Sequence, residues 1–229
     1  MTAAVADQDP RRAGDAHDHD DDHDDDHEHD HERRDGKAKG AIQARPLGAA
    51  RRTELRLRAL ERWEADADGA AASLPAAVQE RVQRVIDRHR GQPWRFARST
   101  GEVGRPRVVV ADADPADRVL LLQALRRDGR TYVAGDALDG AEALALVLIE
   151  QPDVLVLDQR LGTIAGEPVV DLLADLAPET RCVLLLGPGS GRVTARARPG
   201  IVRFRRSPGD RRALVHVIAH TAGGGQAVR

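Results

Sequence analysis

The sequence predicts an α/β fold: a five-stranded parallel sheet, doubly wound, over residues 107–221 of a 229-residue chain. Three observations predict it. Short apolar runs recur along this stretch, rich in β-branched residues. The segments between them carry apolar residues at helical spacing. The runs are also continuously apolar rather than alternating, as strands covered on both faces by helices require.

The elements follow in order. Val108-Val109-Val110 is the first strand. Asp114-Pro115 opens a helix, with Asp as cap and Pro at the first helical position. Val119, Leu120, Leu122 and Leu125 supply its apolar face, and Asp128-Gly129 ends it. Tyr132-Val133-Ala134 is the second strand. Asp139-Gly140 precedes a helix carrying Ala143, Leu144, Val147 and Leu148. Val154 to Leu157 is the third strand, and a helix over about 166–176 shows Val169, Leu172, Leu173 and Leu176. Cys182 to Leu186 is the fourth strand and Ile201 to Phe204 a short fifth. A last helix, about 210–220, carries Leu214, Val215 and Ile218.

Upstream the grammar differs. Residues 1–36 hold fourteen acidic and four basic side chains, 37–107 sixteen basic and eight acidic, and 108–229 fifteen of each. The overall net charge of −2 therefore averages over three unlike regions and excludes no partner by itself. The 1–36 segment has almost nothing to bury, so it cannot offset the entropy of ordering and reads as a disordered acidic tail. Residues 37–90 read as a basic helical segment. One helix over 50–66 carries Leu55, Leu57, Leu60 and Trp63, with Glu54–Arg58 as an i,i+4 pair. A second has Ser73 as cap, Pro75 in the first turn and Gly91 at its end. Its face is Leu74, Val78, Val82, Val85 and Ile86. Two helices alone bury too little, so they should pair and then dock on the downstream domain or on a second chain. Residues 91–106 read as a Gly/Pro linker and 222–229 as a disordered end.

In open parallel sheets the functional crevice lies at the carboxyl ends of the strands. That directs attention to Asp112, Asp114, Asp158, Gly187 and the segment after Phe204. Here the sequence resembles the receiver domains of two-component response regulators. The resemblance rests on Val-Val-Val-Ala-Asp-Ala-Asp-Pro (108–115), Asp-Gly-Ala-Glu-Ala-Leu (139–144) and Pro-Asp-Val-Leu-Val-Leu-Asp (152–158). Gly166 and Gly200 fall at matching spacings, and the match covers about half the chain. It implies a flavodoxin-like receiver fold, in which a sensor histidine kinase passes a phosphoryl group to the Asp at the end of the third strand, here Asp158. It also implies a Mg²⁺ site on that Asp and acids after the first strand, since a negative nucleophile cannot meet a phosphoryl group without a bridging cation. A hydroxyl residue after the fourth strand, a switch aromatic, and a Lys after the fifth complete the pattern.

The sequence departs from that pattern. Asp112 fits the first acidic position, but Ala113 fills the second. Leu186 stands where the hydroxyl belongs, Ser207 before Pro208 where Lys belongs, and Gly162 where the loop after Asp158 has Pro. Phe204 keeps the switch aromatic. These departures predict a weak or absent Mg²⁺ site at Asp112 and Asp158, and slow or absent phosphorylation. A basic cluster (Arg192, Arg196, Arg198, Arg203, Arg205, Arg206, Arg211 and Arg212) lies around the fourth helix and fifth strand, the face that receivers use for partners.

The tail carries His17, His19, His23, His27, His29 and His31 among carboxylates. Imidazole at this density suits weak Zn or Ni binding, although no fixed spacing of a structural site is present. One cysteine allows no internal disulfide, no run reaches the ~18 apolar residues of a membrane span, and Met1 to Arg12 holds no signal peptide. The expectation is a cytoplasmic, non-enzymatic receiver acting through a protein partner, a sensor kinase or a homodimer. The alternatives are a DNA-associated regulator using the basic helices and a metal-handling protein using the tail.

Overall fold

The computed structural model describes residues 46–65, 71–90, 104–162, 164, 166–187 and 200–223. The His-rich tail, the linker over 91–103, the segment 188–199 with Arg192, Arg196 and Arg198, and the end from 224 lie outside the described residues. The described residues fall in one compact unit.

Two helices come first, α1 (Ala49–Ala65) and α2 (Ala76–Arg90). The alternating part then runs β1 (Arg107–Ala111), α3 (Pro115–Asp128), β2 (Tyr132–Ala137), α4 (Gly140–Glu150), β3 (Val154–Asp158), α5 (Gly166–Leu176), β4 (Arg181–Leu186), β5 (Ile201–Arg205) and α6 (Arg211–Ala222). All pairings are parallel, in the order β2-β1-β3-β4-β5. This is the doubly wound order whose direction reverses beside β1, at the β1/β3 crevice.

The strand period of two divides the core cleanly. Val108, Val110, Val154, Val156, Val183 and Leu185 face the layer of α3 and α6. Val109, Ala111, Leu155, Leu157, Leu184 and Leu186 face α4 and α5, in a core that α1 and α2 share through Ala59, Trp63, Val82 and Ile86. Cys182 is in this second core, and burial pushes its thiol up to about 12. Native protein should therefore resist iodoacetamide at about pH 8, with labelling appearing only on unfolding. Labelling of the folded chain at a free-thiol rate would contradict the burial of β4.

The two helices dock on the sheet domain itself. α2 and α1 pack against α4, and α1 also reaches α5. This explains the composition of α4, in which every residue from Ala143 to Ile149 is buried. A helix apolar all round needs cover on two sides. Basic side chains of α1 finish that cover. Arg56 donates to the Ile149 carbonyl at 2.7 Å and Arg52 to the Gln151 carbonyl, satisfying acceptors at the end of α4. Arg52 also meets Asp153 at 2.6 Å, both buried. The Glu54–Arg58 pair forms at 2.6 Å.

Some local readings need correction. In α3 the buried face is Leu121, Leu122 and Leu125, whereas Val119 and Leu120 are exposed. Four consecutive apolar residues, 119–122, leave the helical phase ambiguous, and only half of them can face the sheet. Leu57 is likewise exposed in α1. The Pro75 carbonyl accepts the first bonds of α2, from Val78 and Gln79, so the helix starts at Ala76, three residues beyond Ser73.

Candidate functional site

The site forms where β1, β3 and β5 end. Asp112, just past β1, is fully buried. Its backbone N–H donates to the Ala137 carbonyl at 3.2 Å, and its Oδ1 accepts from the Asp114 N–H at 2.9 Å. Arg118 donates to the Asp112 carbonyl at 2.7 Å and meets Asp136 at 3.1 Å, anchoring this corner to α3 and β2. Asp158 is the last residue of β3 and is buried, with Oδ1 accepting from the Arg160 N–H at 2.7 Å.

The loop after Asp158 is pinned from the other side. Asp139 caps α4 by accepting from Ala141 and Glu142, both at 3.0 Å, and Gly140 donates to the Gly162 carbonyl at 3.2 Å. A Cβ on Gly140 would sit 2.3 Å from the Ile164 carbonyl oxygen, so only glycine allows this approach. Arg81 of α2 adds a bond to Asp139 at 2.9 Å, so the N-terminal helices touch the loop system of the site.

Sequence reasoning placed Arg206 in a basic partner-binding cluster and missed its place in the acidic site. It follows β5 directly, and its backbone N–H donates to the Leu186 carbonyl at 2.9 Å. Its guanidinium bonds the Asp112 carboxylate through Nη2, and Nη1 lies 3.4 Å from both Asp158 and Asp117. A cation fixed in the sequence thus lies against both acids of the expected metal site. Ser207, where a Lys was expected, is exposed and reaches neither acid, so the positive charge enters one position earlier. As one of thirty-three Arg, Arg206 drew notice only as part of that cluster. The only usable sign was its place immediately after an apolar strand.

The remaining expected residues fall as follows. Asp114 is exposed and caps α3 by accepting from Ala116 at 2.8 Å and Asp117 at 3.1 Å. Those backbone N–H bonds hold its carboxyl below its ordinary value. Leu186 is buried in the α4/α5 core and offers no hydroxyl. Phe204 is half-buried against the α3/α6 core. His216 and His220 are exposed on α6, and the half-buried His89 ring contacts the Val85 carbonyl through Nδ1.

These residues do not fit Mg²⁺. That ion demands octahedral oxygen ligands. Ala113 supplies none, and Arg206 lies against the two carboxylates that remain. Among the described residues no three His, Cys, Asp or Glu are grouped to hold a metal.

No family model matches the chain. The transcriptional regulatory protein NarL of Mycobacterium tuberculosis (strain H37Rv) is 38% identical over 79 residues, 34% of this chain and 37% of that protein. The protein-glutamate methylesterase/protein-glutamine glutaminase 3 of Anaeromyxobacter dehalogenans is 42% identical over 60 residues, 26% of this chain and 18% of that protein. The chain thus spans little more than a third of the first relative's length and under a fifth of the second's. Among solved structures, the signal receiver domain of NarL from M. tuberculosis is 30% identical, over 52% of this chain and 98% of that one, with a TM-score of 0.48. No helix among the described residues is long and apolar enough to cross a membrane. With the strand order and the carboxyl-end acids Asp112 and Asp158 in place, the 107–222 segment belongs to the receiver domains of two-component response regulators.

Proposed function

We propose that this receiver is an atypical one, signalling through protein contacts, in which Arg206 is the resident counter-ion of the acidic pair and phosphorylation of Asp158 is slow or absent. The carrying observation is the Arg206 guanidinium lying between Asp112, Asp117 and Asp158. Three losses act in the same direction. Ala113 offers no metal ligand, Leu186 offers no hydroxyl to a phosphoryl oxygen, and a carboxylate already paired with Arg206 is a poorer nucleophile. Loss of one preorganised donor at comparable oxyanion sites costs roughly 10²–10³ in rate. A sensor kinase therefore serves better as a docking partner than as a phosphoryl source, and the domain acts without enzymatic turnover. The DNA-binding alternative draws less support, because Arg52 and Arg56 are buried against α4 and Arg81 is bonded to Asp139.

The test is incubation of the full chain with acetyl phosphate and Mg²⁺, read by intact mass, with Asp158→Ala as control. The expected result is no addition on the timescale of an ordinary receiver. Rapid, Mg²⁺-dependent gain of one phosphoryl group, lost in the variant, would overturn the reading.

A further inference from the structure

Beside the acidic pair lies a pocket of about 350 Å³, between α3, the segment after β5 and the start of α6. We propose that it binds a small organic anion with an apolar body, such as an aromatic carboxylate or phosphate monoester. Its size falls within the ~300–1,000 Å³ of ligand pockets. Leu121, Leu214 and Phe204 line it with apolar surface, the two leucines buried and the Phe half-buried.

Three guanidinium groups from three different segments also line it: Arg160 after β3, Arg206 after β5 and Arg211 at the start of α6. Arg206 is engaged by carboxylates. Arg160 and Arg211 make no ion pair with any described residue. Of the two acids in the lining, Asp117 faces Arg206 at 3.4 Å, which leaves Asp210 against two unpaired arginines. Within the lining three guanidinium side chains stand against two carboxylates, with Asp112 and Asp158 behind Arg206 outside the lining, and planar guanidinium forks match carboxylate and phosphate oxygens. A bare inorganic anion would leave the apolar surface uncovered, and an uncharged apolar molecule would leave the arginines unmatched. The ligand therefore needs both parts. Arg206 belongs to the pocket and to the acidic pair alike, so a bound anion and Asp158 compete for one cation.

Calorimetry on the full chain tests this with three probes: phenyl phosphate, inorganic phosphate and benzyl alcohol. Phenyl phosphate should bind at one site per chain, with each of the others at least about tenfold weaker. Arg211→Glu should weaken phenyl phosphate by about tenfold or more. Arg212→Glu makes the same charge change one residue along, outside the lining, and should leave binding intact. Both positions are exposed, so neither reversal disturbs packing. No saturable binding at millimolar phenyl phosphate, equal weakening by both reversals, or equal binding of inorganic phosphate would each overturn the proposal. Binding here does not require Asp158 to be reactive, so this experiment and the acetyl phosphate assay fail independently.

Discussion

A fragment beginning at residue 104, without α1 and α2, is expected to lose its cooperative fold or to aggregate. The reason lies in α4. Its sequence from Ala143 to Ile149 is apolar at every position, and all seven residues are buried because α2 and α1 cover the side turned away from the sheet. Removing that cover returns several of them to water at about 1.5–3 kcal/mol for each large side chain. It also strips the Arg52 and Arg56 donors from the Gln151 and Ile149 carbonyls. A domain of this kind holds about 5–15 kcal/mol in total, so the loss is comparable with the whole. Thermal melting and sedimentation of the 104–229 fragment are the measurements. A monomer that melts cooperatively within a few degrees of the full chain would show that the helices merely rest on the domain.

The second large effect is expected at Asp153. This buried carboxylate gathers three segments: it accepts from Leu47 N–H at 3.1 Å, Arg52 Nη2 at 2.6 Å and Arg107 N–H at 2.6 Å. Arg52 is only 3% exposed, and burial lowers its pKa from the usual guanidinium value despite the Asp153 charge beside it. Asp153→Ala leaves that charge in the interior without its counter-ion. Breaking a buried pair this way costs about 3–5 kcal/mol, or roughly 2–4 °C in melting temperature for each kcal/mol at this chain size. Glu179→Ala is the control. It removes an ion pair to Arg51 at 2.5 Å that stands in solvent, and it should barely move the melting temperature. Urea midpoints for the two variants decide the matter, and similar small losses in both would show that Asp153 is not holding the segments together.

Much of the fold was legible because helix and strand periods do not mimic each other. The α5 boundaries and the positions of the five strands along the chain follow from continuous apolar runs alternating with 3.6-residue patterns, whereas the order of the strands in the sheet does not. Less was legible where one side chain could serve two masters. Ala143, Leu144, Val147 and Leu148 were enough to mark a helix, yet Leu146 and Ile149 on the same helix were the sign that a second layer covers it. At the site, Asp112 and Asp158 stood out because carboxylates ending apolar strands are conspicuous. Arg206 did not, since fixed spacing pointed one residue further, to Ser207. Which of two neighbouring side chains turns inward depends on where β5 stops, and one residue there reverses the direction.

The covering of α4 also has a consequence in time. Arg52 meets Asp153 across 101 residues and Arg56 meets Ile149 across 93. During synthesis α1 and α2 emerge first, while the surface that receives Val82 and Ile86 does not yet exist. At about 5–20 residues per second the wait lasts several seconds. Such distant pairings make closure slow, because a long loop must be ordered before any contact rewards it. The nascent chain therefore carries an amphipathic helix pair with an open apolar face until α4 leaves the ribosome, and this interval is when the protein is most exposed to wrong partners.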